Sequence, residues 1–394
     1  MAVGLLPDYG GGCITSIAAV VCDALGVAHD FVPLRERLPE ALVSGVRTVA
    51  FILVDGLGYR LLTRWMERHP DSAFHRCERR GVLRKLTTVL PSTTAAALAT
   101  FATGRAPAQH GLLGYKMFLR EVGLIGNMIQ FSPSIGGREF NANHVNLANF
   151  IALPSLYQKL KAAQVASTVC IWRGYKGSAL SRMLYRGADV QGYSACHDAF
   201  PFFQERIEQN AGYVHLYWDE MDVIQHQYGP ASGYTEAALD GLAFCLGPVA
   251  DWKRDDVLFL LTADHGHVQT SSAQTVNLRD HGRLMRLLLT PPCGDARLVY
   301  LYPRADAVDE VAGYVDEHFG HCARRVLSSQ ALDEGWFGEG RAHPEARSRI
   351  GHFVLVPEPN WKFIYPWSND ERDAIGRHGG MDPEEMEVPL LAWR

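Results

Sequence analysis

Residues 256–267 read "DVLFLLTADHGH". From Val257 to Leu261 every residue is large and apolar, with no polar residue at alternate positions. A strand with one wet face alternates with period two, whereas an unbroken apolar run marks a strand covered on both faces. The run ends on Asp264, His265 and Gly266, which set a carboxylate, an imidazole and a turn-forming residue side by side.

Runs of the same kind recur along the 394 residues. They lie at 47–55 (RTVAFILVD), 167–172 (STVCIW) and 213–218 (YVHLYW), with further candidates at 297–302 (RLVYLY) and 352–357 (HFVLVP). Helical patterns fall between them, near 57–68, 94–103, 153–163, 199–209, 234–246 and 307–319. Buried strands alternating with helices predict an α/β fold with a largely parallel central sheet. Ligands of such folds bind at the carboxyl ends of the strands.

Those ends carry one kind of chemistry. The strand at 47–55 runs into Asp55. The strand at 213–218 leads into "DEMDVIQHQYGP", where Asp222 and His226 are four apart and share a helix face. The strand at 256–264 delivers Asp264 and His265. Near the C-terminus, "GRHGGMDPEE" adds His378 in a Gly-rich loop. Each residue alone has an ordinary explanation as a cap, a surface pair or a loop histidine. Together, three aspartates and three histidines offer the nitrogen and carboxylate ligands that suit zinc, or manganese and iron. Six ligands divide into two three-ligand sites. Two divalent ions about 4 Å apart can hold the attacking and leaving oxygens of a phosphoryl displacement.

Bulk properties exclude other classes. Hydrophobic residues make up 47% and charged residues 21%, the balance of a globular chain. A net charge of −5 argues against a surface that coats nucleic acid. No apolar run is long enough to span a bilayer. Residues 14–25 read as an amphipathic helix and not as a signal peptide. The eight cysteines include no C-x-x-C pair and are expected as free thiols in the cytoplasm.

The motifs, taken in order, resemble the type I phosphodiesterase/nucleotide pyrophosphatase family of the alkaline phosphatase superfamily. They are strand-Asp-Gly at Asp55, Pro-x-x-Thr at 91–94 with Thr-Gly at 103–104, Asp-x-x-x-His-x-x-Gly-Pro from Asp222, Asp-His-Gly at 264–266, and a late His-Gly at 378–379. The resemblance implies a three-layer alkaline-phosphatase-like domain spanning 1–394. The window 275–345 carries no candidate ligand and is expected as an inserted subdomain. By position, Asp55, Asp264 and His265 would hold one metal, and Asp222, His226 and His378 the other. Thr94 would be the metal-bound nucleophile, leaving Ser92 and Thr93 as possible helix caps. The activity implied is hydrolysis of a small anionic phosphate ester, a phosphodiester or pyrophosphate, through a phospho-threonine intermediate.

Three positions depart from the family pattern. Ala95 stands where nucleotide-cleaving relatives carry an aromatic residue. Tyr115 stands where they carry an Asn that donates to phosphate oxygen, a role a phenol can also fill. Gln225 replaces the Gly before the second-site histidine. Phosphonate hydrolysis and phosphomonoester hydrolysis with the same two-metal site therefore remain as alternatives, as does a non-catalytic metal-binding protein. The aromatic segments at 115–118, 171–177 and 365–367 are candidates for the substrate pocket. Arg105, about three helical turns beyond Thr94, is expected to point away.

Overall fold

The computed structural model describes residues 4–140, 150–209, 211–367 and 374–394, and within it the apolar runs pair into one seven-stranded sheet. Its strands are β1 (Thr48–Val54), β2 (Gly81–Thr87), β3 (Ser167–Trp172), β4 (Asp189–Tyr193), β5 (Gly212–Trp218), β6 (Val257–Thr262) and β7 (Glu387–Trp393). Their spatial order is β2-β7-β6-β1-β5-β3-β4. The central β1 is parallel to β5 and β6, and β3 is parallel to β4 and β5. Of the seven, β7 alone runs antiparallel to its neighbours.

Every residue of β1, β5, β6 and β7 is buried, as the apolar runs of β1, β5 and β6 predict, whereas β7 buries Glu387 as well. Helix Cys196–Gln209 packs on β3 and β5, and helices Tyr59–Arg68 and Ala73–Arg79 pack on β7. Helix Thr94–Thr103 lies over the middle of the sheet, with Phe101 against Phe51 of β1 at 5.4 Å. The N-terminal helix falls at Ile17–Ala24, within the expected segment.

A second seven-stranded sheet stands beside the first, formed by 323–327, 353–357, 298–301, 293–295, 116–119, 124–127 and 132–133 in that spatial order. The window 275–345 supplies three of these strands, and the rest come from 116–133 and 353–357. The runs at 297–302 and 352–357 therefore serve this sheet and not the central one. It has its own core, which includes Leu284, Val311, Phe319, Leu355 and Phe363.

Register places the site. Val54 pairs with Trp218, and Leu53 with Thr262, so β1, β5 and β6 end side by side. The segment after them in sequence, 376–386, is clamped from below by a buried ion pair. Glu385 accepts from Arg297 Nη2 at 3.0 Å and from the amides of Gly380 and Asp382 at 3.1 and 3.0 Å. A Cβ at Gly380 would lie 2.7 Å from that carboxylate, so only glycine lets the loop close. Removing one partner of a buried pair strands the other charge, at a cost of about 3–5 kcal/mol. Glu385→Ala is expected to lose about that much stability in urea unfolding. A loss below about 1 kcal/mol would show that the clamp is dispensable.

Candidate active site

The chain continues from β1 into Asp55, whose amide donates to Trp218 O at 2.9 Å. Gly56 follows with φ +78°, and a Cβ there would come within 2.9 Å of the His267 ring. Its amide donates to Asp264 Oδ1 at 3.0 Å, and the His265 amide donates to the same oxygen at 2.9 Å. The other Asp264 oxygen, Oδ2, is buried without a hydrogen-bond partner among the described residues. Asp55 is arranged likewise. Its Oδ2 accepts from the Tyr217 hydroxyl, and its Oδ1 is buried and unpartnered.

Helix Glu220–Tyr228 carries Asp222 and His226 on one face, with Oδ1 and Nε2 3.3 Å apart. Gln225 of that helix is buried and donates to Gly56 O at 2.8 Å. The residue that replaces the family glycine is thus a strut between the helix and the β1 turn. His378 arrives on a short ribbon in which Gly376–Arg377 pairs antiparallel with Val268–Gln269. Its ring stacks on that of His265, with centroids 3.7 Å apart.

Backbone carbonyls aim three of the imidazoles. His226 Nδ1 bonds Gly376 O at 2.8 Å, His378 Nδ1 bonds Ser92 O at 2.9 Å, and His265 Nδ1 bonds Gly266 O at 3.2 Å. A carbonyl only accepts, so Nδ1 carries the proton and the Nε2 lone pair faces the cluster. His265 Nε2 lies 3.5 Å from Asp55 Oδ1, 3.4 Å from Asp264 Oδ2 and 3.1 Å from Thr94 Oγ1. His378 Nε2 lies 3.2 Å from His226 Nε2 and 3.8 Å from Asp222 Oδ1. Ligands 2.0–2.1 Å from a tetrahedral ion are about 3.3 Å from one another. The spacing, the donor types and the unpartnered oxygens all fit a divalent cation in each set.

The electrostatics agree. Burial, then the charges of Asp264 and Asp222, hold the Asp55 carboxyl well above the usual carboxylate range. Burial pushes His226 down to about 4 and lowers His265 and His378 as well. Neutral imidazoles leave the buried carboxylates without a counter-charge, a costly state that a cation relieves.

Comparison with known proteins now places the chain. Residues 49–381 match the family model for type I phosphodiesterase/nucleotide pyrophosphatase. The chain belongs to that family. It is similar to the bis(5'-adenosyl)-triphosphatase enpp4 of Xenopus laevis, 22% identical over 195 residues, a match covering 48% of this chain and 39% of that relative's length. Its fold is that of murine ectonucleotide pyrophosphatase/phosphodiesterase 5, solved as an inactive variant with AMP (TM-score 0.65, 17% identity, 88% and 87% of the two chains). It is also that of phosphonoacetate hydrolase from Sinorhizobium meliloti, solved with phosphonoacetate (TM-score 0.67, 17% identity, 91% and 92%).

Within this family frame Thr94 is the first residue of its helix and lines a cavity of about 310 Å³ together with Asp55 and Asp222. Thr93 holds the cap position through its carbonyl, which accepts from Ala97, while its hydroxyl donates to Asp295 Oδ1 at 3.0 Å. Ser92 donates to Gly380 O and accepts from Gly379 N. Neither side chain caps the helix, contrary to expectation, because each is drawn into tying that turn to the neighbouring loops. Ala95 is fully buried behind Thr94. Tyr115 lines a second cavity with Lys116, Asp295, Tyr365, Trp367 and Arg377, and its hydroxyl accepts from Asn127 at 2.9 Å. Of the aromatic segments, Ile171 and Tyr175 reach the Thr94 cavity, whereas 115–116 and 365–367 line the other. Arg105 pairs with Asp30 at the surface. His267 was not singled out from the sequence, although it stands two residues beyond His265 in the opening stretch. Its ring lies 5.4 Å from that of His265.

Asp295 lines the Tyr115 cavity, holds the turn before Thr94 through the Thr93 hydroxyl, and titrates. Burial raises its carboxyl from 3.8 to about 6, against opposing bonds from the Tyr115 amide and the Thr93 hydroxyl. A raised folded value means stability that is present below the unfolded value and lost as pH climbs through 6. The shift amounts to about 3 kcal/mol in all, of which about 1–1.5 kcal/mol falls between pH 5 and 8. Asp295→Asn removes this titration. Urea melts should show wild-type stability falling relative to the variant by about that amount from pH 5 to 8, and a flat difference would contradict it.

Proposed function

We propose that the chain is a metal-dependent hydrolase that cleaves phosphodiester or pyrophosphate bonds through a covalent intermediate on Thr94. The observation that carries this is the Thr94 hydroxyl itself. It stands at the front of a ten-residue helix, 3.1 Å from His265 Nε2 and in the wall of the cavity that also exposes Asp55 and Asp222. Asp55, Asp264, His265 and Thr94 would hold one ion and Asp222, His226 and His378 the other, zinc first among the candidates and manganese or iron after it. Such ions supply Lewis-acid polarisation and make a hydroxyl they touch easier to deprotonate.

The protein's own part follows from its geometry. Thr94 Oγ1 gives its proton to water and forms the bond to phosphorus as the bond to the leaving oxygen breaks. Water then cleaves the phospho-threonine, returning the hydroxyl. The first amides of the Thr94 helix lack intrahelical partners and are aimed to donate to phosphoryl oxygens. Ser92 and Thr93, bonded to the loops behind, hold that turn in place.

The cavity supports a diester. Its walls are largely apolar, with Leu98, Ile129, Ile171, Leu184 and Val223 beside Tyr175 and Tyr217, and among the described residues neither Lys nor Arg lines it. A second organic group is accommodated there, whereas the extra charge of a monoester finds no Lys or Arg beyond the two ions among the described lining residues. A phosphonate substrate is the second reading, favoured by the shared fold with phosphonoacetate hydrolase. The eight free cysteines support a reducing compartment such as the cytoplasm, and no helix among the described residues is long and apolar enough to cross a membrane.

A screen of zinc-loaded protein against aryl phosphate diesters, monoesters, a phosphonate and dinucleotides tests the proposal. Chelation is expected to abolish turnover and Zn²⁺ to restore it. Thr94→Ala should lower kcat by several orders of magnitude, and Thr93→Ala should cost about 1 kcal/mol of stability for one lost hydrogen bond. Full activity in metal-free protein, or in Thr94→Ala, would sink the mechanism.

The second expectation concerns the ester. The aryl diester should exceed its matching monoester in kcat/KM by tenfold or more, about 1.4 kcal/mol of transition-state binding. A reversed ratio would reassign the substrate and leave the metal chemistry standing. Tyr115→Phe, if it lowers kcat/KM for both esters, would support the phenol as an oxygen donor. Unchanged kinetics would remove Tyr115 from the site.

A further inference from the structure

We infer that His267 is a fourth protein ligand of the ion set formed by Asp222, His226 and His378. The inference rests on the metal-dependent reading above. The His267 side chain is fully buried, and among the described residues neither ring nitrogen makes a hydrogen bond. Burying an imidazole without a partner is costly, so the ring needs a reason to be there. Its Nε2 lies 3.1 Å from Asp222 Oδ1. The two atoms are within hydrogen-bond reach, yet neither satisfies the other, because Asp222 Oδ1 is also buried and unpartnered. Two donor atoms at this distance that do not point at each other are placed to share a third atom between them.

The surrounding distances say where that atom would sit. Asp222 Oδ1 is 3.1 Å from His267 Nε2, 3.3 Å from His226 Nε2 and 3.8 Å from His378 Nε2. The last two nitrogens are 3.2 Å apart. These separations bracket the edge of about 3.3 Å expected for a tetrahedron of ligands around zinc. The ring is also held closely in its seat. A Cβ at Gly56 would lie 2.9 Å from its Cε1, and one at Gly376 would lie 3.3 Å from its Cδ2. The other three imidazoles have their protons fixed on Nδ1 by carbonyls. Among the described residues no carbonyl does this for His267, and coordination through Nε2 would fix its tautomer instead.

A consequence follows for the two ion sets. Four protein ligands fill a tetrahedral shell, as in closed zinc sites. The Thr94 side then keeps the ligand that meets substrate. The His267 side would reach substrate only with an ion that takes a fifth ligand, as zinc does in some transition states and Mn²⁺ or Fe²⁺ do readily.

The test is metal binding, read apart from activity. Apo-protein is titrated with Zn²⁺ and Co²⁺ under chelator competition for the wild type, His267→Ala, His267→Gln and Asp222→Asn. The wild type is expected to bind two ions. Both His267 variants should keep one ion at wild-type affinity and bind the other at least tenfold more weakly, with the visible Co²⁺ bands of that site shifted. Asp222→Asn should weaken the same ion. The Gln variant, close in volume to His, keeps the test valid should Ala disturb the fold. Two sites of unchanged affinity with unchanged Co²⁺ bands in both His267 variants would overturn the assignment. A wild type that binds no divalent ion would overturn the metal reading as a whole.

Discussion

Three carboxylates, Asp55 and Asp264 buried and Asp222 partly so, lie close together, and among the described residues each leaves one buried oxygen without a hydrogen bond: Asp55 Oδ1, Asp222 Oδ1 and Asp264 Oδ2. An isolated ionised carboxylate in an apolar interior is prohibitively costly, so oxygens left this way call for a proton or a cation. The histidines around them do not supply that charge, since burial keeps His226, His265 and His378 neutral near physiological pH. Most of the local architecture follows from keeping this cluster together. Asp264 spends one oxygen on the amides of Gly56 and His265, and Asp55 spends one on the Tyr217 hydroxyl, so the second oxygen of each is turned inward.

The sheet makes the cluster possible by register. Because β1, β5 and β6 are adjacent and parallel, their last residues come level, and the first residues of three different connections meet. Gly56 then joins the connections to one another. It bonds Asp264 through its amide and Gln225 through its carbonyl, and it leaves room for the His267 ring. A side chain there would meet the ring and the backbone of Asp222 at once. The departure at Gln225, which counts against carrying nucleotide specificity over from the family, is thus a substitution of one packing solution for another. It does not remove a ligand.

Much of this was legible in the sequence because the strands that matter are buried on both faces and announce themselves by unbroken apolar runs. The runs ending at Asp55, Trp218 and Asp264 lie where expected. β2, β4 and β7 were not read as strands, and the reasons are local. β2 and β4 are outer strands with polar residues such as Arg84, Lys85, Asp189 and Gln191, so their apolar signal is diluted. β7 carries Pro389, which cannot donate to a ladder and argues against a central strand. The fully buried β7 also holds Glu387, satisfied by Arg60 and Lys85, a pairing that only the folded chain reveals. His267 was missed for a different reason. A lone histidine in a loop carries no periodic signal, and its meaning depends on a partner 45 positions earlier.

The opening of helix Thr94–Thr103 shows how placement of a nucleophile can follow from packing. A surface helix shows one apolar stripe, but here Ala95 through Thr103 are all buried, so the helix is fixed on every side. Small side chains allow that burial without pushing the sheet away, and Phe101 supplies the one large contact on β1. Behind it, Thr100 bonds His110, an imidazole that burial keeps down to about 3 and that serves the interior as a neutral partner. A rod held this firmly has little freedom to rotate about its axis. The hydroxyl on its first residue is therefore set by the body of the helix, and the loops tied down by Ser92 and Thr93 set the direction from which it meets the cluster. The alanines and the threonine belong to one device: the alanines bring the helix close, and closeness puts Thr94 within reach of His265.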